Sequence, residues 1–339
     1  MKAVKIIKPK DVIVEEVKMP VPKENEALIK VKAAGSCGSD IGAFRGTNGL
    51  VTYPRIIGHE IAGEVVSVPK SNPKNIKVGD KVIVDPYLYC GHCYPCGIKR
   101  TNCCESLKVL GVHVDGGMSE YFCHPANMLI KMPDEMSWVQ AALAEPLTIS
   151  THGIHRGKLK ADEYCVIIGA GPIGMAAGMV AQNYGAHAIL LDLVQERLDF
   201  ARSLGIEHTI NISKEDPVKL IHKITNGVMA QQVMECSGAN AAIRNTLDYV
   251  SYAGRITLTG WPKTETSLPT DMITKKELDI RGARTSAGEF EEAVDLICSK
   301  KVDMLKLLTK TVPIDEAADV IKDIERNPQN YMKVVVSME

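Results

Sequence analysis

Two hydrophobic rhythms divide the chain. Up to about residue 150, short apolar runs such as VIVEEV, ALIKVKAAG, EIAGEVVSV and DKVIVDPY are punctuated by Gly, Pro and Asn, the pattern of strands joined by turns. From EYCVIIGAGPIGMAAGMVAQNYGA onward the pattern becomes a buried strand, a glycine turn and a helix. HAILLD, QQVMECSG and GRITLTG repeat the strand, with helical segments such as VQERLDFARSLG between them. Strands alternating with helices predict a parallel, doubly wound α/β sheet over about 155–284. Beyond it, Phe290, Ala293, Val294, Ile297 and Cys298 fall on one helical face, as the 3.6-residue period requires. PIDEAADVIKDIER is a second amphipathic helix, and MKVVVSM reads as a closing strand, so that the tail is expected to pack back on the first domain.

Composition narrows the function. With 339 residues the chain is long enough for two domains, and its net charge of −1 leaves no footprint for nucleic acid or an anionic membrane. No run approaches the ~20 apolar residues of a membrane span. The opening MKAVKIIKPKDVIVEE alternates like a strand and lacks the apolar block of a signal peptide. The expectation is a soluble cytoplasmic protein with a small-molecule partner, binding neither nucleic acid nor membrane.

The sharpest motif is Gly169, Gly171 and Gly174, a G-x-G-x-x-G with Pro172 and Ile173 inside it. Alone it is weak. Here the strand YCVII precedes it, a helix follows, and Asp192 closes the next strand 18 residues after Gly174, which is the context that dinucleotide binding demands. Gly169 permits the turn, Gly171 lets the backbone approach a pyrophosphate, and Gly174 lets the helix lie close to the strand. Free N–H groups at the helix start face the phosphates. Asp192 suits the adenosine ribose hydroxyls and repels a 2′-phosphate, favouring NAD; Arg197, a few residues on, pulls the other way because an arginine there can reach a phosphate.

Of ten cysteines, Cys90, Cys93, Cys96 and Cys104 crowd into one loop as C-x2-C-x2-C-x7-C. Four thiolates close a tetrahedral zinc shell with no open position, so this site is structural and pins a lobe of about 88–106. Spacing alone does not decide between Cys103 and Cys104. Other candidates are scattered. Cys37 sits in the glycine-rich turn GSCGSDIGAFRG beside Ser39, His59 and Glu60 lie in IIGHEIAG, and Glu145 lies in AALAEPLT. A thiolate, an imidazole and carboxylates suit a zinc that keeps one position open. Taken singly each is more simply a core cysteine or a solvated acid.

Their combination resembles a family. GSCGSD, GHEIAGE, the four-cysteine loop, AEPLT and GAGPIG occur in the order seen in zinc-dependent medium-chain alcohol dehydrogenases, across nearly the whole chain. The resemblance is strongest to the sorbitol and threonine dehydrogenase branch, and within it to bacterial dehydrogenases of sugar acids and polyols. It implies a GroES-like β-rich catalytic domain (1–154 and 285–339), a Rossmann NAD-binding domain (155–284), and two zinc ions per chain, one catalytic and one structural. Carried over, Cys37, His59 and Glu145 match the catalytic ligands and Glu60 a residue that trades places with water. Cys104 matches the fourth structural ligand, and Ser39 the hydroxyl that takes the substrate proton. The resemblance also implies a homodimer or homotetramer. Two departures stand out: Pro69 replaces a small residue outside the chemistry, and Gly42 stands where the family commonly has the histidine that ends the proton relay.

The implied activity is oxidation of a secondary hydroxyl of a polyol or sugar acid, with hydride passed to NAD. A threonine-type amino-alcohol dehydrogenase is the enzyme alternative, and a silent zinc- and dinucleotide-binding regulator the non-enzyme one. His113 and Asp115 in GVHVDGG are candidate substrate hydroxyl binders, though a structured turn explains them equally well. Arg284 is a candidate for a carboxylate or the cofactor, and His152 and His155 are expected to pack or face solvent.

Overall fold

The computed structural model describes residues 1–338 and divides the chain into two compact units, residues 1–145 with 290–339, and residues 146–289. The pattern alone places these divisions at 154/155 and 284/285. Both positions of the first division lie within one continuous helix, Ala144–Gly157.

The first unit is built on a mixed sheet running Leu129–Lys131, Lys81–Val84, Glu60–Ser67, Glu26–Ser36, Lys333–Ser337 and Leu308–Pro313, with Tyr121–Pro125 also pairing Glu26–Ser36. A smaller sheet joins Lys2–Lys8 to Asp11–Glu16 and Arg55–Ile56. Alternating apolar residues on these strands, among them Ile6, Ile29, Ile61 and Val336, form one buried core. Strand alternation buries one face of each strand at a time. The tail returns as its pattern predicts: Val335 lies opposite Gly35 in an antiparallel pair.

GSCGSDIGAFRG is not a simple turn. Residues Gly38–Arg45 form a helix that ends at Gly46, whose φ is 79°. Its two glycines argue against helix, but three local features outweigh them. Asp40 accepts the Cys37 N–H at 2.9 Å in the first turn, which satisfies an otherwise free helix-start donor. Ile41, Ala43 and Phe44 are buried against the core, and Gly46 closes the helix in the left-handed region.

The second unit is a six-stranded parallel sheet in the order His208–Asn211, His187–Asp192, Tyr164–Ile168, Ala230–Glu235, Val250–Leu258 and Asp279–Gly282. All its pairings are parallel. Counted within the unit this is the doubly wound order 3-2-1-4-5-6, which puts a crevice at the carboxyl ends of the first and fourth strands. Near-continuous Val, Ile and Leu in these strands reflect burial on both faces.

The unit also holds a carboxylate–histidine hydrogen-bond network around the buried Glu289. Glu289 Oε1 lies 2.8 Å from His152 Nδ1 and 3.4 Å from His155 Nδ1, and its Oε2 accepts the Ala287 N–H at 2.6 Å. His152 and His155 therefore do more than pack. Burial alone would raise the Glu289 carboxyl, but the histidine hydrogen bonds overcome it and lower the pKa to about 2. A group depressed in the folded state stabilises fully above its unfolded value, and that contribution is lost as pH falls through the folded value. Glu289→Gln is therefore expected to be less stable than the parent at neutral pH. In urea denaturation at a series of pH values the gap should narrow as pH falls from about 4.5 toward about 2. A gap independent of pH would contradict this.

Candidate metal centre and dinucleotide site

Sheet register assembles the first unit's site. Glu60 opens its strand directly opposite Gly35, and a Cβ at Gly35 would lie 1.9 Å from Glu60 Oε2. Only glycine leaves room for the carboxylate to lie across the neighbouring strand. Cys37 follows that strand's end as the residue before the Gly38–Arg45 helix, and His59 precedes Glu60. The outcome is a group in which donor atoms of Cys37, His59 and Glu60 all lie within 4.8 Å of one another, with His59 and Glu60 buried.

Glu145 is not in that group of three. It begins the helix Ala144–Gly157, is 1% exposed, and its Oε1 accepts the hydroxyl hydrogen bond of Tyr87. Its charge is nevertheless felt by the same groups. Burial raises the Glu145 carboxyl, His59 pulls it down, and Glu60 raises it further. Burial would lower the His59 imidazole, yet Cys37, Asp40 and Glu145 together push it well above its ordinary value. Acidic side chains thus crowd the centre.

One of them, Glu60, is paired with Lys333, a residue that belongs to no motif. Lys333 donates to Glu60 Oε1 at 2.5 Å, to Oε2 as well, and to the Ser36 carbonyl at 3.0 Å. Both side chains of the pair are almost wholly buried. The only signal in the sequence is a lysine heading an apolar closing strand, followed by the buried Val334, Val335 and Val336. Asp40 is engaged differently. It accepts from the amides of Cys37 and Gly58 and lies 4.0 Å from His59 Nδ1.

The donors fit a divalent metal. A thiolate, an imidazole and carboxylates gathered out of water are the ligand types of an open zinc site. His59 Nδ1 and Ser39 Oγ are buried without a hydrogen-bond partner, and buried polar atoms in native proteins are rarely left so.

A second group forms from Cys90, Cys93, Cys96 and Cys104, again with sulfur atoms within 4.8 Å of one another. Cys103 is not among them. The Cys90 amide points at Cys104 Sγ (3.3 Å) and the Cys93 amide at Cys90 Sγ (3.4 Å). The amides of His92 and Cys93 lower Cys90, and Cys104 is also lowered because the Cys90 amide and Ser106 outweigh its burial. Lowered thiols are thiolate-prone, as metal binding needs; Cys96 is pushed the other way, to about 12, by burial and the Cys93 hydrogen bond.

In the second unit the glycine motif lies at the start of the helix Pro172–Asn183. A Cβ at Gly174 would sit 1.9 Å from the Gly169 carbonyl, whereas one at Gly171 would meet nothing within 4 Å. The helix is therefore pressed onto the turn, and open space lies before Gly171. Asp192 Oδ2 accepts the Ala170 N–H at 2.6 Å and Oδ1 the Val194 N–H at 2.9 Å. Each oxygen retains a further acceptor position for a ribose hydroxyl. Arg197 lies on the helix that follows, Gln195–Ser203.

The remaining candidates are engaged locally. Asp115 Oδ1 binds Arg55 and the Ile56 amide at 3.0 and 3.1 Å, and His113 Nδ1 accepts the Val109 N–H at 3.1 Å. Arg284 lies over the Trp261 ring, 5.9 Å from its centroid. Among the described residues no helix is long and apolar enough to cross a membrane.

Known proteins agree with this architecture. The family model for alcohol dehydrogenase GroES-like domains matches residues 23–134, and that for zinc-binding dehydrogenases matches residues 172–299. An uncharacterized zinc-type alcohol dehydrogenase-like protein of Haemophilus influenzae is 55% identical over 98% of each chain. L-galactonate-5-dehydrogenase of Escherichia coli K12 is 34% identical over 97% of this chain and 96% of its own. An alcohol dehydrogenase (rspB) of Escherichia coli CFT073, solved with cofactor NADH, superposes with a TM-score of 0.94 at 33% identity, over 100% of this chain and 99% of the other. The chain belongs to the zinc-dependent medium-chain alcohol dehydrogenase family. It is an oxidoreductase with the GroES-like and Rossmann folds of that family.

Removing one partner of a buried ion pair leaves an uncompensated charge and costs about 3–5 kcal/mol. Lys333→Met is expected to lose stability on that scale in chemical denaturation. The double variant Lys333→Met, Glu60→Leu should recover most of it. Equal stability of Lys333→Met and the parent would show that the pair is not closed in solution.

Proposed function

We propose that the chain oxidises a secondary hydroxyl of a polyol or sugar acid, with zinc and NAD as its resident groups. The observation that carries this reading is the buried group of Cys37, His59 and Glu60 donors within 4.8 Å of one another. Cys37, His59 and Glu145 would hold the catalytic zinc, with Glu60 as the exchangeable carboxylate. Cys90, Cys93, Cys96 and Cys104 would hold a structural one. When bound, the catalytic zinc supplies Lewis acidity and NAD supplies a hydride acceptor.

The chain's own residues do the rest. Ser39 Oγ, buried and without a partner, has both its donor and its acceptor capacity unspent. It is placed to take the substrate hydroxyl proton and pass it outward. Glu60 is restrained by Lys333, so it acts as a held reserve and does not swing freely. In the second unit the first turn of Pro172–Asn183, with Gly169, Gly171 and Gly174, would take the pyrophosphate. Asp192 would take the ribose hydroxyls and so favour NAD over NADP. The likeness to L-galactonate-5-dehydrogenase supports a polyhydroxylated acid as substrate. We further propose a homodimer or homotetramer formed at the edge strand Asp279–Gly282 of the parallel sheet.

The reading is tested by a panel of polyols, aldonates and L-threonine, each with NAD and NADP, run with metal quantification. NADH formation with a polyol or sugar acid and about two zinc ions per chain are expected if both sites are closed as above. Activity with L-threonine alone would overturn the substrate class. Zinc and NAD binding without turnover of any alcohol would overturn the enzymatic reading.

Gly42 bears on where the proton leaves. A Cβ there would meet Asn48 Cβ at 3.6 Å and Thr47 Oγ1 at 3.8 Å, ordinary contact distances. A Cβ can therefore be added here without moving backbone. Gly42→His is expected to change the pH dependence of kcat while leaving zinc content as it was. An unchanged pH profile would mean that the proton does not pass position 42.

A further inference from the structure

Tyr87 stands at the root of the four-cysteine loop. It lies in the short strand Tyr87–Leu88, opposite Val109 in the antiparallel partner Lys108–Val109. Cys90 follows it by three residues and Cys104 precedes Lys108 by four, so this strand pair is the neck of the thiolate lobe. The tyrosine is 4% exposed, and its amide donates to Asp85 Oδ1 at 3.1 Å. Its hydroxyl donates to Glu145 Oε1.

A buried phenol needs a polar partner, and this one has found a carboxylate in a part of the chain 58 residues away. The consequence for Glu145 is larger than for Tyr87. A glutamate side chain has several freely rotating torsions, and Glu145 is at the start of its helix, where the main chain alone does not aim the carboxylate. Tyr87, in contrast, is fixed by strand pairing, by its amide bond to Asp85 and by burial of its ring. The rigid member of the pair sets the position of the mobile one.

We infer that Tyr87 is a positioning residue that orients Glu145 as a metal donor, and that through it the four-thiolate lobe supports the Cys37–His59 centre. This inference rests on the proposed role of Glu145 as a zinc ligand. Hydroxyl and carboxylate groups behind metal ligands fix ligand orientation, and losing one typically costs about 10–100-fold in metal affinity. The lobe then has a purpose beyond its own stability: metal in the four-thiolate site holds the neck strands, the neck holds Tyr87, and Tyr87 holds Glu145.

The test uses full-length protein with zinc in the four-thiolate site and cobalt(II) in the other. Tyr87→Phe removes one hydroxyl and keeps the ring. The expected result is unchanged metal in the thiolate site, with a thermal midpoint lowered by the lost buried hydrogen bond. The d–d absorption of the cobalt should shift, and its apparent affinity in chelator competition should fall about 10–100-fold. A purely structural role for Tyr87 would move the thermal midpoint and leave the cobalt spectrum alone, and that result overturns the inference. Should the Phe variant not fold, site-specific 3-fluorotyrosine at position 87, which preserves shape and strengthens the donor, must still shift the cobalt bands; no shift overturns the inference. Glu145→Gln separates the two readings. If it leaves cobalt spectrum and affinity unchanged, the ligand role of Glu145 is wrong and this inference falls with it. If it changes both while Tyr87→Phe changes neither, only the positioning role is wrong.

Discussion

The first unit has to keep negative charge together where there is little water. Cys37, Asp40, Glu60 and Glu145 act on one another across a buried corner, with Glu60, Asp40 and Glu145 each 1% exposed. Taking such groups out of water costs several kcal/mol per ion unless each is paired. The fold answers these charges in different ways. Asp40 is spent on two backbone amides, Glu60 on Lys333, and Glu145 on the Tyr87 hydroxyl. Cys37, Asp40 and Glu145 all still act on His59, whose imidazole is held above its ordinary value. The same constraint explains Gly35. Its missing side chain lets a carboxylate cross the sheet and meet a lysine from the tail strand, so the tail is part of the site's electrostatics and not only of its packing.

How much of this is legible in the sequence depends on how local each feature is. The dinucleotide turn is complete within a strand, a turn and a helix, so spacing alone locates Gly169, Gly171, Gly174 and Asp192. The four-cysteine loop is likewise local, though Cys103 and Cys104 are neighbours that only three dimensions separate. Cys37, His59 and Glu145 are far apart in sequence. Antiparallel register and a helix start bring them to the same unit, and no one-dimensional spacing encodes that; the family resemblance does. Lys333 is invisible for a sharper reason. A lysine at a strand end is ordinary, and its partner Glu60 is 273 residues away. Tyr87 hides in the same way, as one aromatic residue among several before the cysteines. The Gly38–Arg45 helix escapes a reading by pattern because its glycines outweigh its cap in any propensity sum, while the burial of Ile41 and Phe44 is a tertiary gain.

These placements also explain how a gap at Gly42 is tolerable. Ser39 and Gly42 are three residues apart on one short helix and so share a face. The metal donors lie elsewhere: Cys37 before the helix, His59 and Glu60 at the head of a strand, Glu145 on another helix. A side chain at position 42 would have only Thr47 and Asn48 beside it within 4 Å, and neither holds a donor. The sheet register that creates the charge-balanced centre is therefore indifferent to what stands at 42. On the proposed relay, proton exit would lie on a local element, whereas Glu60 is held by Gly35 and Lys333 and Glu145 by Tyr87. An enzyme built this way can vary the route by which a proton leaves without disturbing how its metal is held. Gly42 is best understood as such a variation, since the side chains beside it are polar and reach solvent while those around Glu60 are buried and paired.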